Sequence, residues 1–117
     1  MKENVVREKS MLFAIRIANL YKFLCKKKEF VLSKQVLRSG TSIGANLAEA
    51  DSAISKKDFL AKVYISLKEC AETGYWLELL FKTDFITYKE FENINTDREE
   101  LFKILTAITK STRESLK

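Results

Sequence analysis

A chain of 117 residues that is 46% hydrophobic is long enough for one domain with a single core. It has no proline, no histidine and three glycines, which argues against turn-rich β folds and removes the commonest general base and the commonest metal ligand. The formal charge of +5 arises in the first 56 residues, where 11 Lys and Arg face 5 Asp and Glu, whereas residues 57–117 hold 10 against 11. That imbalance suits a polyanionic partner, and equally a plain solvated surface.

The first predicted helix spans about Glu3 to Lys27. Val6, Phe13 and Leu20 recur every seven residues, with Ser10, Ile17 and Leu24 four residues after each, the stripe of a long amphipathic helix; Leu12, Ile15 and Ala18 are expected to widen that face. Lys26, Lys27 and Lys28 close the helix, because cations are favoured beside its last carbonyls. Ser33 is the expected N-cap of a second helix whose apolar line is Val36, Gly40, Ile43, Leu47 and Ala50. Gly40 and Gly44 fall inside this helix, and at about 1 kcal/mol each relative to alanine they predict the close approach of a neighbouring helix.

After a break over residues 51–54, Ser55 and Asp58 resemble a capping box that opens a third helix, with a seam of Val63, Leu67, Cys70, Gly74, Leu77 and Phe81. Thr87 and Glu90 form a second capping box at the head of a fourth, which continues through Phe91, Ile94, Leu101, Leu105 and Ile108. Asn93, Asn95 and Thr96 weaken its first half, and Thr96 with Glu99 offers a place to restart it. Four helices with short connections predict an all-α, antiparallel up-down-up-down four-helix bundle, one domain over residues 1–117. Cys25 and Cys70 lack any CxxC spacing and read as small core residues, not as a disulfide or zinc pair. The N-terminal residues carry no signal-peptide pattern and no apolar window is long enough to span a membrane, so a soluble cytoplasmic protein is expected.

Chemistry-bearing patterns are few. There is no hydrolase triad, zinc motif or phosphate-binding loop, so the expectation is a protein that is not an enzyme, with no cofactor, metal or small-molecule substrate. On the second helix Arg38, Ser42, Asn46 and Glu49 lie at i, i+4, i+8 and i+11, within about 80° of arc. If the second and third helices run antiparallel about a turn near Ala53, Arg38 falls level with Glu69, predicting an ion pair there, with Glu72 one turn on. These six side chains read as a buried polar network that fixes helix register. Glu49, Glu69 and Glu72 could also be drawn as a metal cluster, but carboxylate metal sites in bundles pair such residues with histidines this chain lacks.

Two surfaces are candidates for partners. Arg7, Lys9, Arg16, Lys22, Lys26, Lys27, Lys28 and Lys34 are either a solvated face or a phosphate-binding surface. Tyr21 and Phe23 among them are placed at the edge of the core or of an interface. Tyr64, Tyr75, Trp76 and Leu79 lie off the main seam of the third helix and suggest a subunit contact.

The runs RSGTSIGANLAEA at 38–50, SKKDF at 55–59 and SLKECAETGYWLELL at 66–80 closely resemble a bacterial family of four-helix-bundle proteins that includes those encoded by intervening sequences of large-subunit ribosomal RNA genes. The resemblance covers nearly the whole chain. It implies antiparallel bundles assembling as homopentameric rings, and carries the family's motif onto Arg38, Ser42, Asn46 and Glu49 and onto Asp58, Phe59, Lys68, Glu69, Glu72, Thr73, Tyr75 and Trp76. A related branch, the accessory variability proteins of diversity-generating retroelements, binds nucleic acid and a reverse transcriptase. Gly44 stands where one branch has proline, and Ala50 where it has glycine, which argues against that branch. Two functions stay open: a non-catalytic homo-oligomer that binds RNA or a ribonucleoprotein through its basic surface, and a structural adaptor that binds protein without nucleic acid.

Overall fold

A computed structural model describes the backbone over residues 2–117 and the side chains from Val5 onward. Its four helices are α1 (Lys2–Lys26), α2 (Leu32–Ala50), α3 (Lys56–Lys82) and α4 (Tyr88–Ser115), running alternately up and down as a rod of 48 × 21 × 20 Å. The chain is an all-α four-helix bundle. The α2–α3 seam is the most extensive, α1–α2 and α3–α4 follow, and α1–α4 is the sparsest.

The core is assembled from the expected lines. Val6, Phe13, Ile17 and Leu24 of α1, Val36, Ile43 and Leu47 of α2, Val63, Cys70, Leu77 and Leu80 of α3, and Leu101 and Leu105 of α4 are all buried. Two expectations need correction. Leu12 and Ile15 do not widen the buried face: they are 63% and 51% exposed, with Met11 beside them at 61%, because they point away from the bundle axis. On α3 the deepest line is Val63, Ser66, Cys70, Thr73, Leu77 and Leu80, while Leu67 and Phe81 are only partly buried. The hydroxyls of Ser66 and Thr73 hid this line from a purely apolar reading.

Helix ends follow local chemistry. Ser55 Oγ accepts from the Asp58 N–H at 3.0 Å, and Asp58 reaches back to the Ile54 N–H at 3.2 Å. Thr87 and Glu90 exchange both bonds of a full capping box, and α4 is continuous through Asn93, Asn95 and Thr96 with no restart at Thr96. Asn95 accepts from Arg98 Nε at 2.7 Å and Thr96 back-bonds to the Glu92 carbonyl at 2.8 Å, so these polar side chains are satisfied along the helix instead of breaking it.

The α2 start departs from expectation. Ser33 is not the cap: it lies inside the first turn, fully buried, with its Oγ unpartnered. The cap is Glu29, whose carboxylate accepts the backbone N–H groups of Val31, Leu32 and Ser33 at 2.8–3.2 Å. A carboxylate at a helix N-terminus is also favoured by the helix dipole. Burial pushes the Glu29 carboxyl up, and the three N–H bonds more than offset it, leaving it below the ordinary 4.5. The chain enters this turn through Lys28 at φ 64°, where the Glu29 N–H bonds to the Leu24 carbonyl and the Lys28 N–H to that of Cys25, a Schellman closure usually given to glycine. Asp84 at φ 67° closes α3 in the same way.

The interior glycines of α2 sit where its backbone meets α1. A Cβ on Gly40 would stand 2.8 Å from both branches of Ile17, and one on Gly44 would stand 3.2 Å from Ser10 Oγ. Ile17 is fully buried and β-branched, so it cannot turn aside. Gly40→Ala is therefore expected to lower unfolding stability by about 1–3 kcal/mol despite alanine's better helix propensity, and Gly44→Ala by less, as read by urea denaturation.

Glu29→Gln is expected to cost about 0.5–2 kcal/mol as a lost cap, whereas Ser33→Ala, which removes an unpartnered hydroxyl, is neutral or stabilising. Because the Glu29 pKa is lowered on folding, its contribution is complete above 4.5 and is lost as pH falls through the lowered value. Thermal melts across the acid range should accordingly show less acid destabilisation in Glu29→Gln than in the parent.

Candidate functional site

Antiparallel pairing of α2 and α3 brings together residues whose numbers sum to between 107 and 112, as the cross-helix contacts show. Arg38 Nη1 donates to Glu69 Oε2 at 3.0 Å, and Nη2 donates to Glu72. Trp76 Nε1, four residues after Glu72 and so on the same helix face, donates to the same carboxylate at 2.8 Å. One guanidinium thus clamps two carboxylates one helical turn apart, and the second carboxylate orients the indole. Further along, Lys62 Nζ reaches Glu49 at 3.1 Å.

The expected network is neither buried nor continuous in the single chain. The Arg38 side chain is 50% exposed, Glu69 18% and Glu49 60%. Ser42 and Asn46 lie on the same stripe but bond within α2, Ser42 Oγ to the Arg38 carbonyl at 2.6 Å and Asn46 Nδ2 to the Ser42 carbonyl at 2.9 Å. The stripe is therefore two ion-paired rungs, Arg38–Glu69/Glu72 and Lys62–Glu49, separated by back-bonded small polar residues. Each of the three carboxylates once grouped as a metal cluster already has a cation, and no group of three or more potential ligands is placed for a metal among the described residues.

Beneath the ion pairs lies a buried polar seam, of which the sequence marks only Thr73, through the family motif. Thr73 Oγ1 lies 2.9 Å from Ser39 Oγ and donates to the Glu69 carbonyl at 2.8 Å, and Ser66 Oγ donates across the seam to the Ile43 carbonyl at 2.8 Å. Ser66 and Thr73 are seven residues apart, a spacing that could have marked them as core positions. On the α3–α4 side, Arg98 lies over Gly74, where a Cβ would stand 2.6 Å from its Cζ. Arg98 also donates to the Cys70 carbonyl at 3.4 Å, while burial pushes the Cys70 thiol up to about 11, outside reactive range.

The eight basic candidates divide into two groups. Arg7 pairs with Asp51 across to the end of α2; Lys9 pairs with Glu100 at 2.6 Å; and Arg16 pairs with Asp97 at 2.5 Å and bonds Asn93. Lys27 donates to the Phe85 carbonyl at 3.1 Å and covers the Phe23 ring. These cations tie α1 to α2 and α4. Lys22, Lys26, Lys28 and Lys34 are exposed and make no ion pair among the described residues, the last three around the α1–α2 turn. Of the four residues expected at a subunit contact, Tyr64 and Tyr75 are exposed, whereas Trp76 and Leu79 are partly buried.

A double-mutant cycle on Arg38→Ala and Glu69→Ala should return a coupling of roughly 0.3–1 kcal/mol in unfolding stability, modest because the pair is partly solvated. Strictly additive losses would show that the two side chains do not interact.

No curated protein matches this chain. A solved structure that does is that of a protein of unknown function from the S23 ribosomal protein family of Bacteroides thetaiotaomicron VPI-5482, with 58% sequence identity, a TM-score of 0.92, and coverage of 94% of this chain and 99% of that one. A family model described as 23S rRNA-intervening sequence protein matches residues 2–107, which include both rungs of the α2–α3 pairing, the Ser39–Thr73 seam and the lysines of the α1–α2 turn. The chain belongs to the 23S rRNA-intervening sequence protein family.

Proposed function

We propose that this protein is a non-catalytic RNA-binding protein that takes up phosphate at the end of the bundle where α1 turns into α2. One observation carries this: Lys26, Lys28 and Lys34 flank that turn with no ion pair among the described residues, while Arg7, Arg16 and Lys9 farther down α1 are committed to Asp51, Asp97 and Glu100. The acid nearest to them in sequence, Glu29, is buried and held by three backbone N–H groups, and it makes no ion pair with these lysines. Exposed like charges left unpaired around one turn attract polyanions. The family's description ties its genes to 23S rRNA, and the Bacteroides relative is assigned to a ribosomal protein family, which supports RNA as the polyanion.

Self-association belongs to the same proposal. Met11, Leu12 and Ile15 form an exposed apolar patch on the outer face of α1 with no charge between Leu12 and Ile15, a composition suited to a subunit contact. A homo-oligomer would repeat the lysine end and raise the avidity for a long RNA. The free thiols of Cys25 and Cys70 suit the reducing cytoplasm.

Titration of a structured ribosomal RNA fragment at rising salt tests the proposal. The parent protein should bind with a steep salt dependence, and Lys26→Glu/Lys28→Glu/Lys34→Glu should bind more weakly, with the log–log salt slope shallower by about 2–3. No binding by the parent at low ionic strength would overturn it.

A further inference from the structure

The outer face of α3 carries a pattern that neither the bundle core nor the lysine end explains. Lys57, Tyr64, Lys68, Tyr75 and Lys82 follow one another at spacings of 7, 4, 7 and 7 residues, which holds them within about 40° of arc along the helix. Over about 38 Å, at 1.5 Å per residue, the line alternates cation and aromatic ring from end to end. All five face solvent, with Tyr64 46% and Tyr75 61% exposed. The rings are also held in place. Lys68 Nζ lies 6.0 Å from the centre of the Tyr64 ring, and Tyr75 meets the Trp76 ring edge-to-face at 5.0 Å and 78°. Trp76 is in turn fixed by its bond to Glu72, so Tyr75 stands on the clamp that joins α2 to α3.

At the N-terminal end of the line the surface opens into a groove of about 380 Å³ between α3 and α4, lined by Lys57, Leu60, Tyr64 and Arg113 among others. Tyr64 thus lies on a wall shared with a guanidinium. Arg113 makes no ion pair among the described residues. Aromatic rings and Arg planes are the two surfaces on which unpaired bases stack, while lysines between them meet the phosphates.

We propose that the outer face of α3 is a binding track for single-stranded nucleic acid, with bases stacked on Tyr64 and Tyr75, the Tyr64 base facing Arg113, and the backbone passing Lys57 and Lys68 and, at the far end, Lys82, which would exchange its exposed partner Glu78 at 3.0 Å for phosphate. Its length accommodates about eleven nucleotides at a stacked rise of ~3.4 Å, within the usual range of ~4–16 for a single-strand site. Contact with a second copy of the chain is the competing use of these tyrosines. Against it, every tyrosine on the line is followed by a lysine, the residue most at odds with a subunit interface, whereas Met11, Leu12 and Ile15 offer a charge-poor patch on another helix. This track rests on the RNA-binding reading above and specifies which strand state is bound and where.

The test uses the full-length protein and two fluorescein-labelled probes, a single-stranded twelve-residue oligouridine and an RNA duplex of the same length, followed by anisotropy. The parent should favour the single strand. Tyr64→Ala/Tyr75→Ala should lose at least about tenfold in affinity for it with little change in salt slope, and Tyr64→Phe/Tyr75→Phe, which keeps the rings, should retain the parent affinity. Trp76, the sole tryptophan, touches Tyr75 and reports the site directly: its emission should change on binding in the parent and not in Tyr75→Ala. Parent-like binding by the double alanine variant, with loss confined to the Lys26→Glu/Lys28→Glu/Lys34→Glu protein, would overturn the track and leave the RNA-binding reading standing. A change of mass in solution in the double alanine variant without loss of affinity would assign the face to a subunit contact and overturn it too. If the parent binds neither probe nor the structured fragment, both readings fall together.

Discussion

The close approach of α2 to both its neighbours is the constraint on which the bundle depends. Toward α1, a Cβ at Gly40 would stand 2.8 Å from Ile17, so a side chain there must push the helices apart, and one at Gly44 would stand 3.2 Å from the Ser10 hydroxyl, a tight approach. Toward α3, contact is made by Ser39, Ser66 and Thr73, whose hydroxyls reach across or back to carbonyls instead of filling space with methylenes. Two helix interfaces on a single helix are thereby drawn close at a helix-propensity cost of about 2 kcal/mol for the glycines, offset by the packing they allow. The Arg38 clamp on Glu69 and Glu72 lies above this seam and favours one register of α2 on α3, because a one-turn slip would leave the guanidinium with only one of its two carboxylates.

The remaining seam is closed by charge. Between α1 and α4 the packing is sparse, and Lys9 and Arg16 cross it to Glu100 and Asp97, while at the end of the bundle Lys27 reaches the Phe85 carbonyl in the α3–α4 turn. The positive surplus of the N-terminal half and the acidic balance of the C-terminal half are to this extent two sides of one joint. Lys26, Lys28 and Lys34 at the α1–α2 turn stay outside this joint, and Glu29 beside them is drawn in to cap α2. Net charge thus overstates the surface open to a polyanion on α1, while the lysines of α3 are interleaved with exposed tyrosines, a distinction that a count of charges does not make.

Much of the bundle was legible in residue order. The lines Val36–Gly40–Ile43–Leu47–Ala50 and Ile94–Leu101–Leu105–Ile108 are core lines because their period matches the helix, and the caps at Ser55 and Thr87 are local motifs complete within four residues. The Arg38–Glu69 pair was legible from antiparallel pairing about one short turn. Other features were not. Glu29 outranks Ser33 as a cap because the Lys28 reversal aims its carboxylate back at the α2 amides, a geometry set by the turn and not by residue type. Leu12 and Ile15 share the apolar character of core residues, and only the position of the bundle axis turns them outward.

Residue order alone determined four helices, their antiparallel course, the interior glycines as contact points and the absence of histidine chemistry, since periodicity, capping and composition are local properties. Which cations were left over was decided only by the tertiary structure, because an ion pair such as Arg16–Asp97 joins residues 81 positions apart. The same holds for the polar seam under Arg38 and the groove that brings Arg113 to the wall of Tyr64. Such features depend on which face of each helix meets which neighbour, and that is fixed when four amphipathic helices bury their faces together.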